Sequence, residues 1–317
     1  MYQPKLIKLL FFVMLLFSIT TVYANKIDDL KTDKDVFDLL ISLKAFGGST
    51  PIMVMPTDTL LKKLNCKEVA MKWGIKAWQK LDFNNDKRTD LIVMVNDGDN
   101  SLYIFAIIDN GVAGLRCIEV SSNRGDFCQI VKPIMVDGKQ MLAYYSKRFR
   151  MVNHKFIGQG ETEQVDTLIC LFDGFVEYNR RPVNYAIKSI SIKVGDSIIV
   201  TNQGKVAYSP GMRSIFRDTA EFALAVDSSS KTYVSKISLS KFNNIKALIN
   251  YIDIRKKQKS YSVLWTDDAE AKLTVEFADG TKKKINDYGM IGSFGLTRLY
   301  DILLDLKGTL TWKLPEK

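Results

Sequence analysis

The chain holds one histidine, four cysteines with no Cys-x-x-Cys pair, seven prolines in 317 residues, and no apolar run of the ~20 residues that a membrane-spanning helix needs. Each scarcity excludes something. A lone histidine without paired cysteines leaves no ligand set for a structural zinc ion. With His154 as the only imidazole and no Gly-x-Ser-x-Gly elbow, a serine hydrolase lacks its machinery. His154 itself sits in the polar stretch Asn153-His154-Lys155 and reads as a solvated surface residue. Low-complexity tracts and long-period repeats are also missing, which excludes collagen-like and repeat architectures. What remains is an ordinary globular composition: 46% hydrophobic, 25% charged, with 45 Lys+Arg against 35 Asp+Glu for a net charge of +10. The length suggests two domains.

The most apolar stretch lies at the start. Lys5 and Lys8 precede the run Leu9 to Val22, and Val22-Tyr23-Ala24 places small residues at the positions that specify cleavage. The expectation is a signal peptide, 1–24, cut after Ala24, and an exported protein, periplasmic or secreted, with a charge of +8 once the two lysines are lost. No cysteine near the cut supports a lipid anchor, and no transmembrane span is expected in the remainder.

Export permits disulfides. Cys66, Cys117, Cys128 and Cys170 allow three pairings. Arg116 to Val120 and Phe127 to Val131 read as two strands joined by a polar turn, so the expected bridge is Cys117–Cys128 across a hairpin.

Hydrophobic periodicity supplies the elements. Thr32-Asp33-Lys34-Asp35 resembles a capping box ahead of Val36, Leu39, Leu40 and Leu43 at helical spacing, and Thr57 to Leu64 reads as a second, shorter helix. Strand-length runs follow at 91–95, 102–108, 116–120, 128–135, 141–145, 167–172 and 175–178, divided by Asn-Asp-Gly-Asp, Asp-Asn-Gly and Asp-Gly turns. The polar stretch Asn179-Arg180-Arg181-Pro182 marks a boundary. Beyond it, strands are expected at 221–226 and 231–236, then a helix capped by Ser240 with Phe242, Ile245, Leu248, Ile249 and Ile252 on one face, closed by Arg255, Lys256, Lys257 and Lys259. Strands at 261–265, 271–277 and 281–285 and a helix from Leu296 complete the chain. The fold class is α+β: two domains, 25–183 and 184–317, each an antiparallel sheet with a few packed helices.

One loop carries the sharpest chemical signal. In Asp82-Phe83-Asn84-Asn85-Asp86-Lys87-Arg88-Thr89-Asp90, side-chain oxygens fall at positions 1, 3, 5 and 9, with a backbone carbonyl at position 7, the order in which a tight turn offers hard ligands to Ca²⁺. The candidate metal set is Asp82, Asn84, Asp86, Arg88 (through its carbonyl) and Asp90, for one calcium ion. The segment resembles the Asp-rich loops of FG-GAP and VCBS repeats, which place glycine where this chain has Lys87. The competing reading is a turn in which Asp and Asn bond their own backbone. Other constellations are weaker. Asp267-Asp268 reads as turn residues after a strand, and Gly289-Met290-Ile291-Gly292-Ser293-Phe294-Gly295 fits neither nucleotide-binding glycine pattern. The basic clusters at 147–150, 180–181, 255–259 and 282–284 read as solvated faces.

The second half resembles an uncharacterised domain family of exported bacterial proteins. The resemblance rests on Tyr261-Ser262-Val263-Leu264-Trp265-Thr266-Asp267-Asp268, Leu273-Thr274-Val275, Asp279-Gly280, Asp287-Tyr288-Gly289 and Gly295-Leu296-Thr297-Arg298-Leu299-Tyr300. Similar members precede it with a domain holding an Asp-Phe-Asn-Asn-Asp loop, cysteine-bearing strands and a Phe-x-Glu-Tyr-Asn ending, matched here by Asp82 to Asp86, by Cys117 and Cys128, and by Phe175 to Asn179. A Cys-x-x-x-Cys-Pro segment common in that family is absent from Ile215 to Ala220. The resemblance implies architecture and export and carries no activity. The expected function is a non-enzymatic binding or envelope-associated module whose partner is a protein or an envelope polymer, not nucleic acid. A calcium-stabilised structural protein and a secreted hydrolase are the alternatives.

Overall fold

The computed structural model describes residues 26–45, 53–96, 102–120, 126–152, 155–209, 232–263 and 266–315. The leader, His154, the expected strand at 221–226, the segment 215–220 and the pair Leu264-Trp265 lie outside them.

Helix α1 (Asp33–Ser42) starts where the capping box was expected: the Asp35 amide donates to the Thr32 hydroxyl at 3.2 Å and the Asp35 carboxylate accepts from the Thr32 amide at 2.8 Å. Its buried face, Val36, Leu39 and Leu40, lies on a four-stranded antiparallel meander, β1 (Trp78–Leu81), β2 (Asp90–Asn96), β3 (Leu102–Asp109) and β4 (Leu115–Glu119). Period-two alternation splits β2 and β3 between two cores. Leu91, Val93, Val95, Phe105 and Ile107 face α1, while Ile92, Met94, Ile104, Ala106 and Ile108 face the other way. There they meet α2 (Thr57–Lys63), α3 (Lys67–Trp73) and one face of a second meander.

That second sheet runs β5 (Asp126–Val136), β6 (Lys139–Val152), β7 (Lys155–Leu171) and β8 (Gly174–Glu177). It is a shared wall. Ile130, Leu142, Tyr144 and Leu168 fill the first core, whereas Met141, Ile169 and Val176 join the core of the second half. The strands expected at 141–145 and 167–172 are the buried ends of β6 and β7, a far longer hairpin whose remaining length is too polar to show an apolar run. β1 and α3 are likewise additional to the sequence expectation.

The expected Cys117–Cys128 bridge is not formed. β4 pairs with β3 in the first sheet and β5 opens the second, so the two strands are not partners in a hairpin. Cys128 instead bonds Cys66, just ahead of α3, with Cα atoms 5.9 Å apart.

The second half is a seven-stranded sheet in the order β12-β11-β10-β9-β14-β15-β13, formed by β9 (Ile187–Val194), β10 (Asp196–Thr201), β11 (Lys205–Ser209), β12 (Tyr233–Lys236), β13 (Ser260–Ser262), β14 (Glu270–Phe277) and β15 (Lys282–Tyr288). All pairings are antiparallel except the edge β13–β15, which is parallel. Three strands between 187 and 209 were not anticipated, although Ile190, Ile192, Ile198 and Val200 alternate with polar residues; β9 sits at the centre. Helices α4 (Leu239–Tyr251) and α5 (Phe294–Thr309) cover one face. The α4 cap is Ser238 rather than Ser240, its hydroxyl accepting from the Lys241 amide at 3.1 Å. The inward residues Phe242, Ile245, Leu248 and Ile249 of α4 are those expected, and Leu299, Tyr300, Leu303 and Leu306 form the buried face of α5.

The boundary segment is pinned on both sides. Tyr178 and Arg180 bond Asp137 of the first half at 2.6 and 2.9 Å; the Asn179 amide donates to the Tyr251 hydroxyl at 3.0 Å, and the Tyr185 amide donates to the Asn250 side chain at 2.9 Å. Among the described residues no helix is long and apolar enough to cross a membrane.

Candidate functional site

The Asp82–Asp90 loop connects β1 to β2, and its backbone turns sharply, with Asn85 and Lys87 at φ 58° and 69°. Lys87 therefore holds a left-handed conformation that glycine would adopt at less cost. Asp82 accepts the amides of Asp86 (3.1 Å) and Lys87 (2.9 Å); Asn84 also accepts from the Asp86 amide at 3.2 Å; Asp86 accepts the Arg88 amide (2.9 Å) and the Asn84 side-chain amide (3.0 Å). Asp90 is wholly buried, its two oxygens accepting the amides of Phe83 and Asp109 at 2.8 Å each. Burial, opposed by those two donors, pushes the Asp90 carboxyl up to about 6. The Arg88 guanidinium lies within 3.5 Å of Asp86 and presses on Gly111. Loop closure is thus carried by side chain to backbone hydrogen bonds. Among the described residues no three or more His, Cys, Asp or Glu side chains converge on one point.

The glycine-rich connection from β15 to α5 also folds around carboxylates. Asp287, wholly buried, accepts the amides of Ile291 and Gly292 at 2.9 Å. Gly289 takes φ 88°, and a Cβ there would lie 2.4 Å from Val263. At the helix start, where free amides and the dipole favour an anion, the occupant is the protein's own Glu177: its two oxygens accept the amides of Phe294 (2.6 Å) and Gly295 (3.0 Å), and Lys257 lies 3.6 Å away. A Cβ on Gly295 would meet Ile252 at 2.3 Å, so this glycine lets the helix approach. Phe294 then enters the first core edge-on to Tyr144, centroids 4.9 Å apart. Tyr300 is buried beside Asp287; burial first and then that charge hold its phenol protonated. The motif residues Asp287, Gly289 and Gly295 thus act in docking α5.

Asp267 and Asp268 form a turn, Asp267 at φ 68° and Asp268 accepting the Ala269 amide at 2.7 Å. The free thiols Cys117 and Cys170 are pushed up to about 12, chiefly by burial.

The face of the seven-stranded sheet opposite α4 and α5 has a composition of its own. Register places Asn286, Lys272, Lys193, Ser197 and Ser209 in one row, Lys284, Thr274, Ser191, Ile199, Ala207 and Val234 in the next, and Lys282, Glu276, Ser189 and Thr201 in a third that Lys205 and Lys236 extend. Lys272 pairs with Glu270 at 2.9 Å, and Glu276 with Lys188 and Lys282 at 2.9 and 3.7 Å. Lys193, Lys205, Lys236 and Lys284 are exposed and have no ion-pair partner among the described residues. Beside them Ile199 and Val234 are 43% and 37% exposed.

Residues 197–307 match a family model described as a domain of unknown function (DUF6438). The DUF6438 match covers about a third of the chain, begins inside β10 and ends within α5, so the central strand β9 lies outside it. It contains the Tyr261 to Asp268, Asp287 to Gly289 and Gly295 to Tyr300 segments on which the resemblance to an uncharacterised family rests. No curated protein and no solved structure matches the chain.

Proposed function

We propose that this is an exported, non-enzymatic binding module that docks an anionic envelope polymer on the open face of the seven-stranded sheet. The observation that carries the reading is the charge of that face: seven lysines (188, 193, 205, 236, 272, 282, 284) against Glu270 and Glu276, four of the lysines unpaired. Repeated anionic groups along a polymer match rows of lysines set by strand spacing, at ~4.8 Å between neighbours. Export is supported by the leader pattern of residues 1–24 and by a disulfide, which persists in an oxidising compartment. Two domains, 25–183 and 184–317, coupled through α5, fit the pinned linker.

Retention on immobilised polyphosphate and on heparin is the test. Replacing Lys193, Lys205, Lys236 and Lys284 together by glutamine is expected to lower the eluting salt concentration markedly. The same number of changes at Lys34, Lys62, Lys63 and Lys72 is expected to leave it nearly unchanged. Equal loss from both sets, or tighter binding to duplex DNA than to either polymer at equal salt, overturns the assignment.

For the Asp82–Asp90 loop the reading we favour is a self-closed turn, supported by its network of backbone donors. Protein stripped with chelator is expected to melt at the same temperature with and without millimolar Ca²⁺. A rise of several degrees would return the loop to a calcium site built from Asp82, Asn84, Asp86, the Arg88 carbonyl and Asp90.

A further inference from the structure

A cleft of about 710 Å³ opens where the β7–β8 turn of the first half meets α4 and α5 of the second, lined by Asp173, Lys241, Asn244, Arg298, Asp301, Ile302, Leu304 and Asp305. Several of its charges are already committed. Asp173 pairs with Arg116 at 3.2 Å, and Lys241 with Asp305 at 3.7 Å. Arg298 and Asp301 are not. The Arg298 Nε donates to the Phe172 carbonyl at 2.7 Å and its stem lies over Gly174, where a Cβ would sit 2.7 Å from Arg298 Cδ. This fixes the guanidinium, yet its two terminal nitrogens have no partner among the described residues. Asp301, one helical turn further on, has no hydrogen bond or ion pair there either. Desolvation pulls Arg298 below its ordinary value against the nearby charge of Asp301, and crowding pushes Asp301, at the exposed rim, above its own against that of Arg298, so the two charges sense each other across the cleft without a direct pair.

We propose that this cleft binds an α-amino acid with an aliphatic side chain, its carboxylate on the Arg298 fork and its ammonium on Asp301. Side chains three apart on a helix stand ~5–6 Å from each other, a span that the joined carboxylate and ammonium of one α-carbon can bridge. A planar fork with two free donors matches a carboxylate. Ile302 and Leu304 supply an apolar wall for the side chain. The volume lies within the range of small-molecule sites, about 300–1,000 Å³. This site is separate from the lysine face and does not depend on it.

The test is saturation-transfer NMR and calorimetry on the full chain with L-leucine, leucinamide, N-acetylleucine and the dipeptides Leu-Gly and Gly-Leu. L-leucine is expected to bind, and removal of either charge to weaken binding at least about tenfold. Asp301→Asn, on the rim, is expected to lose L-leucine binding with an unchanged melting temperature, and Arg298→Lys to lose it as well. Tighter binding of a dipeptide than of leucine would overturn the proposal, because neither residue of a dipeptide carries a free carboxylate and a free ammonium on the same α-carbon. No binding of L-leucine at about 10 mM, equal binding of a capped form, or an Asp301→Asn variant that binds like the native chain would overturn the proposal as well.

Discussion

Asp90 shows how a residue chosen for one chemistry serves another. It lies where a ninth loop ligand would, and its two oxygens hold the amides of Phe83 and Asp109 in a wholly buried setting. Asp90→Ala leaves two buried donors unpaired and is expected to cost about 2–4 kcal/mol, measured by urea unfolding at pH 7. The native carboxyl, raised to about 6 from an ordinary 3.8, binds its proton more readily folded than unfolded. Its contribution is therefore complete below about pH 4 and is lost as pH rises through about 6. Wild type should show that slope, and Asp90→Ala should lack it. The cysteines make a second residue-scale expectation. With both free thiols near 12, iodoacetamide at pH 8 is expected to label Cys117 and Cys170 about a thousandfold more slowly in the folded protein than in urea, read by mass spectrometry. The positions of these residues were legible in the sequence; their burial was not, because it depends on β3, β4 and β7, which lie far along the chain.

At the scale of elements, α5 carries the most consequence. Its periodicity, from Leu296 to Leu306, is plain in the sequence and the helix forms where expected. The partner at its N-terminus is not legible, since Glu177 lies 117 residues away from Phe294 and nothing local announces the pairing. Glu177→Ala is expected to cost about 1–3 kcal/mol by freeing two amides next to the half-buried Lys257, while Glu177→Gln recovers part of it. Circular dichroism during thermal melting reads the difference. The missed strands teach the complementary point: β9 and β10 alternate clearly, yet a boundary placed at Pro182 invites a linker there, and only the pairing of β9 with β14 makes it central.

For the whole molecule, the coupling of the halves governs unfolding. The second meander contributes to two cores, and Phe294 crosses from one half into the other. A single calorimetric transition is expected, and two transitions would show that the halves melt independently. The Cys66–Cys128 bridge closes a loop across 62 residues. By loop-closure entropy its removal costs about 4 kcal/mol. The double change Cys66→Ala with Cys128→Ala should lower the melting temperature accordingly, whereas Cys117→Ala with Cys170→Ala should lower it less.

By itself the sequence determined what short-range chemistry controls: the capping box at Thr32, the inward face of α4, the position of α5, the turn residues of the Asp82–Asp90 and Asp267–Asp268 segments, and an α+β composition. Periodicity of 3.6 or 2 and side chains that bond their own backbone act over a few residues, so they can be read directly. Tertiary structure decided the disulfide partner, the occupant of the α5 N-terminus, the row-by-row assembly of lysines on one sheet face and the unpaired Arg298–Asp301 step in the cleft. The first three bring together groups tens to more than a hundred residues apart, and the cleft sets Arg298 against the Phe172 carbonyl, 126 residues earlier. Their meeting follows from strand order and helix packing, which no local pattern encodes.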